Sequence, residues 1–207
     1  MDRPKLLDLF CKAGGAGMGY HRAGFDVVGV DIEPQPRYPF TFIQADAMTF
    51  PLDGFDAIHA SPPCQAYSIA AKGTGKVYPD LLAPVRDRLI ARGTPWVIEN
   101  VPGAPMRADY QICGCQVGLK LRRMRWFETS WEGFVLSRPH HHDGPVVSVV
   151  GHGTPTWVRQ QLGYNPTIED CRAAMGIEWM TRAELSQAIP PAYTELIGGY
   201  LMAAVLA

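Results

Sequence analysis

Two short segments carry residue types that covalent chemistry needs. Ser61-Pro62-Pro63-Cys64-Gln65-Ala66-Tyr67-Ser68 sets a cysteine directly behind two prolines, and Glu99-Asn100-Val101 closes an apolar run. A cysteine held on a rigid turn can supply a thiolate nucleophile. A carboxyl in a partly dry cleft has its proton affinity raised and can act as a general acid. Alone, Cys64 reads more simply as a structural thiol. Glu99, ending a neighbouring strand, turns it into half of a nucleophile–acid pair.

A third segment, Asp8-Leu9-Phe10 followed by Gly14, Gly15, Gly17 and Gly19, lets the backbone approach a ligand at a helix N-terminus. The spacing is not a strict G-x-G-x-x-G, so the glycines alone are a weak signal. Asp31 and Asp46 close the next two apolar runs. Three acids at successive strand ends oppose a pyrophosphate but suit a cationic, nucleoside-like cofactor such as S-adenosylmethionine. Asp31 is placed to accept hydrogen bonds from a ribose diol. The plainer alternative is a glycine turn with solvated acids at the strand ends.

These residues must be positioned by alternating strands and helices. Lys5–Phe10, Asp26–Asp31, Thr41–Asp46, Phe55–Ala60 and Trp96–Val101 read as strands, and the glycine turn leads into a helix ending near Ala23. Asp80–Arg92 has helical spacing, stopped by Gly93, with Pro84 as the expected start of its regular part. Such alternation implies an α/β fold, a mostly parallel sheet with helices on both faces. The second half is less regular. Gly118–Ser130 holds strand-like material, Val146–Val150 a short strand, Gly151–Asp170 an extended loop or small insert, and a final helix is expected over Ala192–Val205.

In this order, DLFCKAGGAGMG, PPCQAYS and IENV resemble the cytosine-C5 DNA methyltransferase family. Arg123-Met124-Arg125 resembles the family's Arg-x-Arg strand, Cys171–Ile177 the helix before its last motif, and Gln187–Pro191 its final cofactor-contacting turn. The likeness runs from about Leu6 to Gly198. It implies a Rossmann-like S-adenosylmethionine-dependent methyltransferase fold, with S-adenosyl-L-homocysteine as the cofactor product. By resemblance, Cys64 attacks cytosine C6 and Glu99 holds and protonates the ring at N3. C5 then takes the methyl group, and loss of its proton with elimination of Cys64 releases 5-methylcytosine. Arg123 is expected at the cytosine O2, with Arg125 supporting the pocket or holding a phosphate. Asp8, Phe10, Gly14, Gly15, Asp31, Ile32, Asp46, Ala47, Pro62 and Gln187 are expected to line the cofactor site. Pro63, Gln65, Ser68, Asn100 and Val101 are expected beside the substrate. The target base must leave its stack, so base flipping or a single-stranded substrate is implied.

Several positions depart from the family. Lys12 and Ser186-Gln187 stand where Gly and Gly-Asn are usual, which leaves a modified donor open, and Leu121 replaces a usual Gln. The recognition domain that family members carry is reduced to about Glu132–Asp170. The expected division is a catalytic core over 1–131, a reduced target-recognition insert over 132–170 and a segment completing the core over 171–207. So small an insert cannot supply many base-edge contacts, so target specificity is expected to be short or relaxed.

Lys120, Arg122, Arg123 and Arg125, with Lys72 and Lys76, are candidates to flank a phosphate backbone. On a strand, Arg123 and Arg125 share one face; a solvated edge strand is the alternative. His152 is placed at the DNA cleft, and Trp126, Trp131 and Trp157 are read as packing residues. Cys113-Gly114-Cys115 has one intervening residue, not the two to four common in structural zinc sites. With His140–His142 it is read as a turn and a polar loop, with no metal.

The 207 residues have 19 Lys+Arg against 20 Asp+Glu, a net charge of −1, which argues against coating nucleic acid by bulk charge. Five cysteines and no leader-like apolar run favour free thiols and a cytoplasmic chain, and no apolar run is long enough to span a membrane. The family resemblance implies a DNA (cytosine-5-)-methyltransferase, expected as a monomer, of the kind that protects the genome of a bacterium or its phage through restriction-modification. The same chemistry on RNA or a free cytosine nucleotide, and a non-catalytic DNA- or cofactor-binding relative, remain as alternatives.

Overall fold

The computed structural model describes residues 2–64, 67, 79–131, 139–151 and 154–207. Seven strands form one sheet: β1 (Lys5–Leu9), β2 (Asp26–Asp31), β3 (Thr41–Gln44), β4 (Ala57–Ala60), β5 (Trp96–Asn100), β6 (Tyr110–Ile112) and β7 (Arg125–Thr129). Six α-helices accompany it: α1 (Gly15–Arg22), α2 (Leu82–Arg92), α3 (Thr156–Leu162), α4 (Ile168–Met175), α5 (Arg182–Gln187) and α6 (Pro191–Leu206). The spatial order is β3-β2-β1-β4-β5-β7-β6. β1 to β5 run parallel, and β7 lies antiparallel to both β5 and β6. The chain winds outward one way from β1 and the other way from β4. That reversal leaves a crevice beyond their carboxyl ends.

Alternation along the strands explains the two-sided core. Leu6 and Val27 pack with Tyr20, Tyr193 and Ile197 beneath α1 and α6, while Leu7 and Ile58 pack with Leu82, Val85 and Leu89 beneath α2. Both faces being covered, the strands read as nearly continuous apolar runs. A third cluster joins Leu121, Val147 and Val149 to Cys171, Met175, Met180 and Leu185 from α4, α5 and their linker. α2 also holds β7 in place: Arg86 donates from Nε and Nη2 to the two carboxylate oxygens of the buried Glu128, at 2.9 and 2.7 Å.

α1 and α6 cross in close contact, and glycine makes this possible. A Cβ on Gly19 would stand 2.1 Å from Thr194 Oγ1 and 2.2 Å from the Pro191 carbonyl oxygen. The Thr194 hydroxyl donates to the Ala16 carbonyl across the same crossing, at 2.9 Å.

The strands and the first helix fall within one or two residues of the sequence reading, β3, β4 and β5 being slightly shorter. Four expectations need correction. α2 begins at Leu82, before Pro84, because proline in a first turn removes an N–H that has no helical partner. Val146–Val150 is not a strand; only the bridge between Leu121 and Val147 pairs there. Of the extended loop or small insert expected over 151–170, the loop alternative fails: the segment contains α3 and the start of α4, the latter begun by a capping box of Thr167 and Asp170. The basic run is not a continuous strand, since β7 starts at Arg125 and Arg123 precedes it. β6 was not anticipated: at three residues, it is too short for a periodic signal.

Candidate active site

The crevice holds a cavity of about 320 Å³ lined by Phe10, Asp31, Cys64, Glu99 and Arg125. Each side chain arrives from the end of an element. β4 ends at Ala60, and Ser61 N–H donates to the Leu9 carbonyl at 3.2 Å, so the Pro62-Pro63-Cys64 turn starts beside β1. Asn100 Nδ2 donates to the Pro62 carbonyl at 3.1 Å, tying this turn to the end of β5. Asn100 therefore does not line the cavity as expected; it lies buried behind it as a latch. Val101, Pro62 and Pro63 do line it.

Glu99 and Cys64 share the cavity with two arginines. Arg125 Nε lies 2.9 Å from Glu99 Oε1. Burial raises the Glu99 carboxyl above the ordinary carboxylate range, and Arg125 and then Arg123 oppose the rise. The half-buried Cys64 thiol is pushed up by burial and by Glu99, while Arg125 and Arg123 pull it down. Arg123 is buried, donating from Nη1 to the Val149 carbonyl and from Nη2 to the Ser186 carbonyl at 2.8 and 2.7 Å. Its Nε has no hydrogen-bond partner among the described residues, and burial lowers its pKa to about 9. Arg125 thus meets the acid, and Arg123 lines the same cavity with two of its nitrogens committed to backbone.

The acidic half of the cavity is built on an unusual strand exit. Phe10 and Lys12 have φ of 59° and 44°, the two non-glycine residues of the left-handed region among the described residues. This turn places the Lys12 N–H 3.0 Å from Asp31 Oδ2, while Glu33 N–H donates to Asp31 Oδ1. The Lys12 ammonium turns to Glu33, 2.9 Å away, and lies 3.7 Å from Asp31. Two carboxylates meet this unexpected cation. Ile32, Asp46, Ala47, Gly15 and Gln187 also line the cavity.

Asp8 and Gly14 do not reach the cavity surface. Asp8 is wholly buried in β1, accepting from Tyr38 Oη at 3.1 Å on Oδ2 while Oδ1 has no hydrogen-bond partner among the described residues. Burial, with a further push from Asp31, raises its pKa to about 7 against the Tyr38 hydrogen bond. Gly14 caps α1 at φ 82°, where a Cβ would stand 2.7 Å from Pro39 Cδ. Gly15 makes room for protein as well: its Cβ would stand 2.4 Å from the Ile189 carbonyl oxygen. Gln65, Ser68, Lys72, Lys76 and His152 lie outside the described residues.

Sequence reasoning missed His59. It is fully buried in β4, with Nδ1 2.9 Å from Tyr20 Oη and Nε2 3.0 Å from Ser61 Oγ. Burial depresses its pKa to about 3, so the ring is neutral. Ser61 lines the cavity. A lone histidine inside an apolar run carries no spacing that would single it out.

Comparison with known proteins places this geometry among relatives. Residues 4–110 match the family of C-5 cytosine-specific DNA methylases. The type II methyltransferase M.AquIA of Picosynechococcus is 32% identical over 124 residues, 48% of this chain and 49% of that protein. The type II methyltransferase M1.HphI of Haemophilus parahaemolyticus is 34% identical over 91 residues, 36% of this chain and 24% of that protein. The matches thus span about half of one relative and a quarter of the other. A crystal structure of a Spodoptera frugiperda DNMT2 mutant superposes with a TM-score of 0.65 at 12% identity, covering 96% of this chain and 99% of that one. A putative DNA modification methyltransferase encoded within an Escherichia coli prophage gives 0.62 at 14%, covering 98% and 99%. The fold is the Rossmann-like fold of methyltransferases.

Proposed function

The chain belongs to the C-5 cytosine-specific DNA methylase family, and on that premise we propose that it methylates C5 of cytosine in DNA, using S-adenosylmethionine and a covalent adduct at Cys64. The observation that carries the reading is the Arg125–Glu99 contact of 2.9 Å in the cavity that Cys64 also lines. Such a group of nucleophile, acid and cation suits attack on a ring that must be protonated as it is attacked.

The cavity's other half fits the cofactor. Asp31 and Asp46 suit a cationic ligand, and Phe10 and Ile32 offer apolar surface to an adenine ring. When bound, S-adenosylmethionine supplies the methyl group as an electrophilic carbon on sulfur. Lys12, drawn onto Glu33 and Asp31, is neutralised there, which favours the ordinary donor over a modified one. Gln187, Ala188 and Ile189 close the far wall from the turn between α5 and α6.

On the substrate side, the Cys64 thiol gives up its proton to solvent as Sγ adds to C6, and Glu99 delivers a proton to N3. The resulting C5 enamine carbon would take the methyl group, with S-adenosylhomocysteine as the leaving product. Loss of the C5 proton to water, expulsion of Cys64 as thiolate and return of the N3 proton to Glu99 restore the ring. Arg125 holds the carboxyl of Glu99, and Arg123 adds positive charge that favours the thiolate.

Transfer of labelled methyl to duplex DNA, single-stranded DNA, RNA and dCMP tests the reading. Incorporation into DNA is expected. Cys64→Ala should abolish turnover and capture on 5-fluorocytosine DNA while keeping cofactor binding. Turnover in that variant, or no incorporation into DNA by the parent chain, would overturn it.

A further inference from the structure

Away from the Cys64 cavity, the fold gathers four side chains of metal-binding type. The ligand atoms of Cys113, Cys115, His140 and His142 all lie within 4.8 Å of one another. None of the four lines the cavity. From sequence they read as a turn and a polar loop, since a cysteine spacing of one residue is not usual for a structural site. Their meeting is a tertiary fact: one pair follows β6, and the other lies beyond residue 138.

We propose that Cys113, Cys115, His140 and His142 bind one structural zinc ion. Cys113 Sγ lies 3.4 Å from His142 Nε2, and the rings of His140 and His142 stand edge to face with centroids 5.1 Å apart. Zn–S bonds of about 2.3 Å and Zn–N bonds of about 2.0–2.1 Å put tetrahedral donors roughly 3.3–3.8 Å apart. The Cys–His contact already has that length, and the widest separation closes with a contraction of about 1 Å. Two thiolates neutralise the dication, and four protein donors leave no open position, the signature of a structural rather than a catalytic site.

The surrounding contacts fit donors held for a purpose. The histidines are spaced i, i+2, which lets the two side chains of a non-helical stretch face the same way, while Cys113 caps the short 3-10 helix Gly114–Val117 that carries Cys115. The intervening His141 is engaged elsewhere, its Nε2 2.8 Å from Asp143 Oδ1. Cys113 is buried and its N–H donates to Gln116 Oε1 at 2.7 Å, which sets the turn carrying Cys115.

The ion would join two segments that flank Arg123. Between them run hydrogen bonds from Arg122 N–H to the Val147 carbonyl and from Val147 N–H to the Lys120 carbonyl, at 3.0 and 2.9 Å. Arg123 itself rests on the Val149 carbonyl. The zinc thereby pins the start of the segment after residue 138 to the sheet edge, and steadies the frame that holds Arg123 in the cavity.

The test uses the full chain, without a histidine tag, purified under reducing conditions after zinc supplementation. Elemental analysis should find about one zinc per chain. Cobalt reconstitution should give the intense visible bands of a tetrahedral site and a thiolate-to-cobalt charge-transfer band. Cys115→Ser and His140→Ala, at partly exposed and exposed positions, should each cut metal retention about tenfold or more. They should also abolish the loss of thermal stability that a chelator causes in the parent chain. Zinc below about 0.1 per chain after reconstitution, or unchanged retention in both variants with their circular dichroism intact, would overturn the proposal. Should a variant fail to fold, the cobalt spectrum of the parent decides: absence of thiolate-to-cobalt charge transfer overturns it equally.

Discussion

At the scale of single residues, burial sets the charge balance of the cavity. Glu99 is buried and raised by desolvation, and Arg125 is the first influence opposing that rise. Removing the guanidinium in Arg125→Met should therefore move the Glu99 ionisation further up. The limb of the kcat/KM profile that reports Glu99 should shift to higher pH, and an unchanged profile would separate the two residues functionally. Glu99→Gln should slow methyl transfer by roughly 10²–10⁴ in single-turnover measurements. Asp8 sits deeper and bears on stability. Its carboxyl titrates near 7 when folded against an ordinary 3.8, so the folded chain holds the extra proton. The contribution is fully present below pH 3.8 and is lost as pH rises through about 7, on the order of a few kcal/mol in all. Melting of the cofactor-free chain from pH 5 to 8 should show this decline, and Asp8→Asn should flatten it. Cys64 and Glu99 were legible in sequence because their neighbours are distinctive. The place of Asn100 behind the wall was not, because a buried latch and a substrate contact use the same amide.

Elements position these residues, and one crossing shows how tightly. α1 and α6 approach so closely that Gly19→Ala would drive a methyl group into the Pro191 carbonyl and the Thr194 hydroxyl, both within 2.2 Å of the new carbon. Because one of the obstructing atoms is backbone, a rotamer change cannot relieve it. We expect a loss of about 2–3 kcal/mol or more in urea unfolding, whereas Gly24→Ala, near only a flexible methionine end, should cost less despite its positive φ. Of the glycines first read as ligand contacts, Gly19 admits helix α6, Gly14 and Gly17 make room for Tyr38, and Gly15 lines the cavity while making room for Ile189. The strands were legible because parallel strands buried on both faces are dense in apolar residues. The short β6, the bridge at Val147 and helix α3 left little periodic signal, since tertiary contact rather than local pattern defines them. The gathering of Cys113 with His142 belongs to the same class: contact across 29 positions is invisible to spacing rules.

For the whole molecule, a net charge of −1 and a small segment after β7 frame what can be recognised. We propose that target specificity is short or relaxed, because a recognition segment confined in sequence to residues 132–170 is short for many base-edge contacts. Base-resolution sequencing after expression in a methylation-free host should find modified cytosines in short or varied contexts. A unique target of about six base pairs or more would refute this. The described helices include none long and apolar enough to cross a membrane.

The Thr194–Ala16 hydrogen bond spans 178 positions, and the cavity wall at Ile189 packs on the glycine turn at Gly15. A pocket closed by such distant partners cannot assemble locally. Loop closure must precede the contacts that reward it, so acquisition of the cofactor site should be a late and slow event in folding. Until then the paired faces of α1 and the central strands stay uncovered, and the interval before α6 docks is when this chain is most exposed to misassembly.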